Sequence, residues 1–191
     1  MKALEEKILR EGRVLPGNIL KVGSFLNQQL DSDFLTEIGA EIARLYSDCG
    51  VTKLLTVEAS GIAIALAAGM QMHLPVVFAK KYRTSNVSGD TYSTTVHSYT
   101  HGNDYEMVVA RDYLSSADTL LLVDDFLAVG AALEGLLEIA RQAGAKVAGA
   151  AVAIEKGFQP GGQRLRQTGI RVESLAIVES MSDDSLTFRA Q

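Results

Sequence analysis

Leu120-Leu121-Leu122-Val123-Asp124-Asp125-Phe126-Leu127-Ala128-Val129-Gly130-Ala131-Ala132-Leu133 decides how this chain folds. Four apolar residues in a row, 120–123, predict a buried strand, because a strand covered on both faces shows no polar alternation. Two carboxylates follow at its end. A short loop of small residues then opens a helix over Ala131 to Ala143, which Gly144 closes. This order sets an acidic pair beside a helix N-terminus, whose free N–H groups favour an anion. In a parallel sheet the C-terminal end of a strand opens into the crevice where ligands bind. Asp124 and Asp125 would need partners there, since desolvating a lone charge is costly. Sugar hydroxyls, or water on a divalent cation, would supply them, so the run points to a sugar-phosphate site. A capping pair of carboxylates with no ligand fits the same residues.

The pattern repeats upstream. Leu54-Leu55-Thr56-Val57 predicts a strand, Glu58-Ala59-Ser60-Gly61 a loop, and Gly61 to Met72 an alanine-rich helix. The loop is a second anion cradle, although Ser60 could be a plain N-cap. Val76 to Ala79, Val147 to Ile154 and Val172 to Val178 predict three more strands, and Tyr105 to Val109 a further one. Leu4 and Ile8 share one face of a first helix ending at Gly12, and Asn18 to Val22 is extended. Asp31 or Ser32 caps a second helix, with Phe34, Leu35, Ile38, Ile42, Leu45 and Tyr46 inward and Gly50 at its end. Leu165 to Thr168 belongs to a short helix. Alternating strands and helices predict an α/β fold with a mostly parallel sheet covered on both faces. Residues 83–103, rich in Ser, Thr, Gly and Asn, read as a mobile antiparallel excursion outside the core.

Composition narrows the function. The 191 residues suit one domain, 47% apolar and 21% charged. The formal charge of −5 and the lack of a Lys/Arg stripe argue against nucleic acid as partner. Cys49 is the only cysteine, so no intrachain disulfide forms, as expected of a reducing compartment. The N-terminus does not read as a leader, and no apolar stretch reaches the roughly 20 residues that cross a bilayer. A soluble, cytoplasmic protein is expected. His97 and His101 lie four apart in a non-helical stretch and form no zinc pattern. GxGxxG is absent.

Cations and rings complete the candidate site. Lys81 and Arg83 follow the Val76–Ala79 strand. Glu155-Lys156-Gly157-Phe158 follows Val147–Ile154, and an ammonium and a ring two residues apart suit a planar heterocycle. Core packing and a surface ion pair are the plain alternatives for these two.

Taken together, these motifs resemble those of the type I phosphoribosyltransferases. Residues 120–133 match the signature, 58–61 resemble the pyrophosphate loop of the adenine and xanthine enzymes, and 18–27 resemble the base-binding segment of the xanthine phosphoribosyltransferases. The resemblance implies a five-stranded, mostly parallel sheet flanked by helices in a single domain, 1–191. A small hood from about 14–30 and 155–170 and a flexible loop over about 83–103 would complete it. It implies a homodimer whose substrates are 5-phosphoribosyl-1-pyrophosphate and xanthine, with Mg²⁺ carried by the pyrophosphate donor and no assured protein ligand to the metal. Asp124 and Asp125 would hold the ribose hydroxyls, and Ala128, Val129, Gly130, Ala131 and Ala132 the 5′-phosphate. Glu58, Ala59, Ser60 and Gly61, with Lys81 and Arg83, would face pyrophosphate. Leu20, Asn27, Lys156 and Phe158 would hold the base. The family commonly places threonines in the phosphate loop and this chain has none, so the grip there must come from the backbone. A lysine donor suits a 6-carbonyl and argues against adenine, whereas Asn27 can flip to suit either xanthine or guanine. A guanine or hypoxanthine enzyme shares everything but base choice, and Lys156 to Phe158 read against an orotate enzyme. A non-catalytic sensor on the same fold would need a DNA-binding segment, for which the residues before Asn18 are too few.

Overall fold

Leu4 and Ile8, one turn apart, bury the inner face of a first helix, α1 (Lys2–Glu11), against the sheet. A hairpin follows, β1 (Arg13–Leu15) and β2 (Ile19–Lys21), turned at Gly17 and Asn18 with φ of 81° and 60°. A π-helical turn over Gly23–Asn27 leads to α2 (Ser32–Leu45). The alternating part comprises β3 (Lys53–Val57), α3 (Ser60–Met72), β4 (Val76–Ala79), the hairpin β5 (Thr91–Ser98) and β6 (Asn103–Ala110), β7 (Thr119–Leu127), α4 (Ala131–Ala143), β8 (Lys146–Lys156), α5 (Gly161–Gln167), β9 (Val172–Ser182) and β10 (Ser185–Phe188). This computed structural model describes residues 1–82, 89–98, 102–182 and 185–190.

The central sheet has the order β10-β9-β8-β7-β3-β4. Strands β9 to β4 are all parallel, which is the expected five-stranded core, and β10 adds a sixth, antiparallel edge strand. Successive strand residues serve opposite faces. Leu121 and Val123 join Leu54, Ala151 and Ala153 in one layer with α1, α2 and α3. Leu120 and Leu122 join Leu55, Ala150 and Val152 in the other, beneath α4 and the β5–β6 hairpin. The unbroken apolar run of β7 is thus the signature of a strand buried on both sides.

Three expectations need correction, and one element was unannounced. The acidic pair does not follow β7 but lies within it, because β8 is long enough to pair Asp124 with Val152 and Phe126 with Ile154. The residues before Asn18 form a strand, β1, that no run of apolar residues announces. Helix α2 ends at Tyr46, not Gly50: the tyrosine is buried and its hydroxyl donates to the Ala150 carbonyl at 2.8 Å, while Gly50 shapes the turn into β3. The excursion is partly core, since Tyr92 and Val96 are buried in the layer with α4, beside Met107 and Val109 of the predicted strand that follows. Gly135 permits this close approach, because a Cβ there would lie 2.7 Å from Val96 Cγ2. Residues 83–88 and 99–101, and with them Arg83, lie outside the described residues. Among the described residues no helix is long and apolar enough to cross a membrane.

Candidate active site

The C-terminal ends of β3, β7 and β8 open on one cleft of 720 Å³. Its floor is Asp124 and Asp125. One wall is the loop Glu58–Gly61 with Lys81, and the other is the loop Ala128–Ala132. Leu20, Asn27 and Lys156 form the roof. The structure therefore brings together every described candidate residue except Phe158. That ring is 39% exposed and is not among the residues lining the cleft. Strand β8 ends at Lys156, and the turn that follows presents Gln159 inward instead. The aromatic ring beside Lys156 in the cleft is Phe126, whose centroid lies 5.9 Å from Lys156 Nζ. Phe126, Gln159, Tyr105 and His97 are lining residues that the sequence reading passed over. Phe126 stood in the opening motif, and a strand continued two residues past the carboxylates would have singled it out.

Both anion loops lead into helices that no side chain caps. Helix α3 starts at Ser60, so this serine is the first helical residue, and its N-cap Ala59 offers no acceptor. The N-cap of α4 is Gly130. The first N–H groups of two helices are thus left for other partners at opposite ends of one cleft. Gly61 lets α3 sit down on the sheet, since a Cβ would meet Thr56 Oγ1 at 2.2 Å and Asp124 Oδ1 at 3.4 Å. Thr56 Oγ1 is buried and, among the described residues, has no hydrogen-bond partner.

The two carboxylates differ. Asp124 is buried, and burial, then the charge of Asp125, push its carboxyl well above the usual range. Its Oδ1 accepts from the Asp125 N–H at 3.0 Å. Asp125 accepts from the Phe126 N–H at 3.0 Å and from Asn27 Nδ2 at 3.1 Å, which ties the cleft floor to the roof. Lys81 is held by its own N–H, which donates to Glu58 Oε1 at 2.7 Å, and its ammonium stands 5.5 Å from the Tyr105 ring centroid. Burial, then Asp124, raises the Tyr105 hydroxyl above its ordinary value. Lys156 Nζ donates to the Asn18 carbonyl at 2.8 Å, and burial holds its ammonium below the ordinary lysine value.

Behind Lys156, Glu155 anchors the end of β8. Arg166 Nη1 and Nη2 donate to its two oxygens at 2.8 and 2.7 Å, and Ser174 Oγ donates as well. Burial alone would raise the Glu155 carboxyl, but these donors and the guanidinium charge outweigh it and hold it below the usual range. Arg166→Met should destabilise the fold by about 2–3 kcal/mol at pH 7, less than a fully enclosed pair because the guanidinium keeps partial exposure. The sign with pH follows from the lowered value: the contribution is present above about pH 4.5 and is lost as pH falls through the folded value. Denaturant unfolding of both proteins at pH 7 and pH 4 checks this, and a gap that widens in acid would contradict it.

Two helix N-termini thus face an acidic pair across the end of a parallel sheet. Solved structures share this fold. The adenine phosphoribosyltransferase of Giardia lamblia, complexed with 9-deazaadenine, superposes with a TM-score of 0.77 at 20% identity, covering 93% of this chain and 98% of that one. That of Rhodothermus marinus gives 0.76 at 17%, covering 93% and 100%. The fold is therefore that of a type I phosphoribosyltransferase. No protein-family model matches the chain. A xanthine phosphoribosyltransferase of Limosilactobacillus reuteri is 50% identical over 188 residues, 98% of each protein. One from Lactiplantibacillus plantarum is 47% identical over 191 residues, 100% of this chain and 98% of the relative. The chain belongs to the xanthine phosphoribosyltransferase family.

Proposed function

We propose that the chain joins N9 of xanthine to C1 of 5-phosphoribosyl-1-pyrophosphate, giving xanthosine 5′-monophosphate and pyrophosphate. The observation that carries this reading is the single cleft between two uncapped helix N-termini, with two carboxylates on its floor. Asp124 and Asp125 take the ribose 2′- and 3′-hydroxyls. The loop Ala128–Ala132 takes the 5′-phosphate on its main chain. Glu58–Gly61, Lys81 and Arg83 take the pyrophosphate. Lys156 donates to a carbonyl oxygen of the base, with Leu20 and Asn27 beside it. Phe126 supplies the ring on the cleft side, and Phe158 closes over the base from the rim.

The leaving pyrophosphate makes C1 cationic in the transition state, and the carboxylates below it stabilise that charge without a covalent intermediate. Two carboxylates at the cleft floor fit a hydrated Mg²⁺ brought in by the pyrophosphate, and when bound that ion neutralises the leaving group. Residues 1–191 act as one domain, with 14–30 and 155–170 forming the hood. Initial rates with xanthine, guanine, hypoxanthine and adenine, each with the phosphoribosyl donor and Mg²⁺, test the reading. Xanthosine 5′-monophosphate and pyrophosphate should form fastest. Binding without pyrophosphate release would overturn the enzyme reading, and faster turnover of guanine the base assignment.

A homodimer is part of the same proposal. Helix α3 and the edge strand β4 expose Leu66, Met70 and Phe78, with Tyr82 just beyond them, at 41–67%. An apolar face of this kind on a polar surface suits a second copy of the chain. Light scattering should give twice the 20.5 kDa chain mass, and Leu66→Glu with Met70→Glu should halve it. A wild-type monomer at micromolar concentration would end the idea.

A further inference from the structure

The phosphate loop has no hydroxyl side chain, so its grip depends on how its peptide planes are turned. Two of its carbonyls are held from behind. The N–H of Gly161, at the start of α5, donates to the Ala128 carbonyl at 3.0 Å. Arg164 Nη2 donates to the Val129 carbonyl at 2.8 Å and to Glu134 Oε1 at 2.6 Å. Glu134 in turn closes the first turn of α4, its N–H donating to the Gly130 carbonyl at 2.9 Å. Neither Gly161 nor Arg164 lines the cleft, so α5 braces the loop from its outer side. The fit leaves no space: a Cβ on Gly161 would lie 2.4 Å from the Ala128 oxygen and 2.7 Å from the Gly130 nitrogen.

In a trans peptide the carbonyl of one residue and the N–H of the next point in opposite directions. The one cis peptide among the described residues is Glu58–Ala59, outside this loop. Drawing the Ala128 and Val129 carbonyls toward α5 therefore turns the Val129 and Gly130 N–H groups away from it, toward the cleft. Among the described residues these two N–H groups donate to no protein acceptor. We infer that Arg164, with the Gly161 N–H, is a positioning residue for the 5′-phosphate: it orients the main-chain donors that the family's loop hydroxyls would otherwise supplement. The inference rests on the assignment of Ala128–Ala132 to that phosphate.

Arg164→Met keeps the aliphatic stem and removes the donors, and Arg164→Lys keeps a cation that can reach the same carbonyl. Arg164→Met should weaken ribose 5-phosphate binding about tenfold and raise the KM for the phosphoribosyl donor alike, with magnesium pyrophosphate affinity and the KM for xanthine within about twofold. Arg164→Lys should recover most of the loss. Gly161→Ala should reproduce the Arg164→Met pattern, since its methyl group displaces the same loop. Unchanged ribose 5-phosphate affinity in Arg164→Met overturns the inference. So does an equal loss for pyrophosphate and xanthine, which would mark a general loss of structure. Ala131→Asp separates the two claims, because a carboxylate in the first turn suits the helix but repels a phosphate. If Ala131→Asp leaves ribose 5-phosphate binding intact, the loop is not its site and both claims fall. If it abolishes binding while Arg164→Met does not weaken it, only the positioning role fails.

Discussion

Asp124→Asn should stabilise the ligand-free protein at neutral pH and leave the enzyme nearly inactive. Burial, followed by the charge of Asp125, raises the Asp124 carboxyl well above the usual range. The folded chain therefore binds this proton more tightly than the unfolded chain does. The stability this group allows is complete below the unfolded value, about 3.9, and falls as pH rises from there toward the raised folded value. An asparagine removes that penalty while keeping an oxygen to accept from the Asp125 N–H. The unfolding midpoint should thus rise at pH 7, on a scale of about 2–4 °C per kcal/mol for a chain of this length, and stay level near pH 4. Turnover should fall by about 10²-fold or more, because the carboxylate would no longer face the cationic sugar carbon. Thermal unfolding at the two pH values and steady-state kinetics read both effects. As a companion, Asp125→Ala should lower turnover far more than stability, since Asp125 is only half-buried. Wild-type turnover in either variant would remove the acidic pair from the chemistry.

Lys156→Met carries the second large effect. The side chain is partly desolvated, and its ammonium is spent on the Asn18 carbonyl until a ligand arrives. Methionine matches the stem but donates nothing, so the base carbonyl and the Asn18 oxygen would both lose their partner. A site built to hydrogen-bond its substrate loses heavily when one partner is deleted, so kcat/KM for xanthine should drop about 10²–10³-fold. The KM for the phosphoribosyl donor should stay within about twofold, because the proposal assigns its phosphates to other loops. In the wild type, the alkaline loss of xanthine turnover should set in below the ordinary lysine value of 10.5. Equal damage to both substrates, or an undiminished rate with xanthine, would refute the assignment.

The chemistry-bearing parts of the fold were legible because each is local. An apolar run, two acids and a turn of small residues specify strand, floor and cradle within fourteen positions, and the 54–61 segment repeats the pattern. The errors arose where distant segments decide. Strand β7 runs through the acidic pair only because β8, some twenty residues later, is long enough to pair with it. The β5–β6 hairpin looks like a polar excursion, yet Tyr92 and Val96 lie two side-chain repeats apart on its inner face, and Val96 needs Gly135 of α4 to be seated. The β1–β2 hairpin has three-residue strands, and only Gly17 and Asn18 marked its turn. Phe126 was passed over because its place in β7 depends on the same pairing with β8.

Lys156, the last residue of β8, is the tip of an eleven-residue rod inside the central sheet. Such a rod does not drift smoothly. Its height is set by rungs on both sides, and the smallest step available is one residue, about 3.3 Å, which would also invert the side chain. Glu155 and Gly157, the neighbours that such a slip would bring to the tip, are an anion and a bare backbone. Positional error of the Lys156 ammonium is therefore all or none, and on the proposed reading any tolerance for a wrong base would have to come from Leu20 and Asn27 opposite.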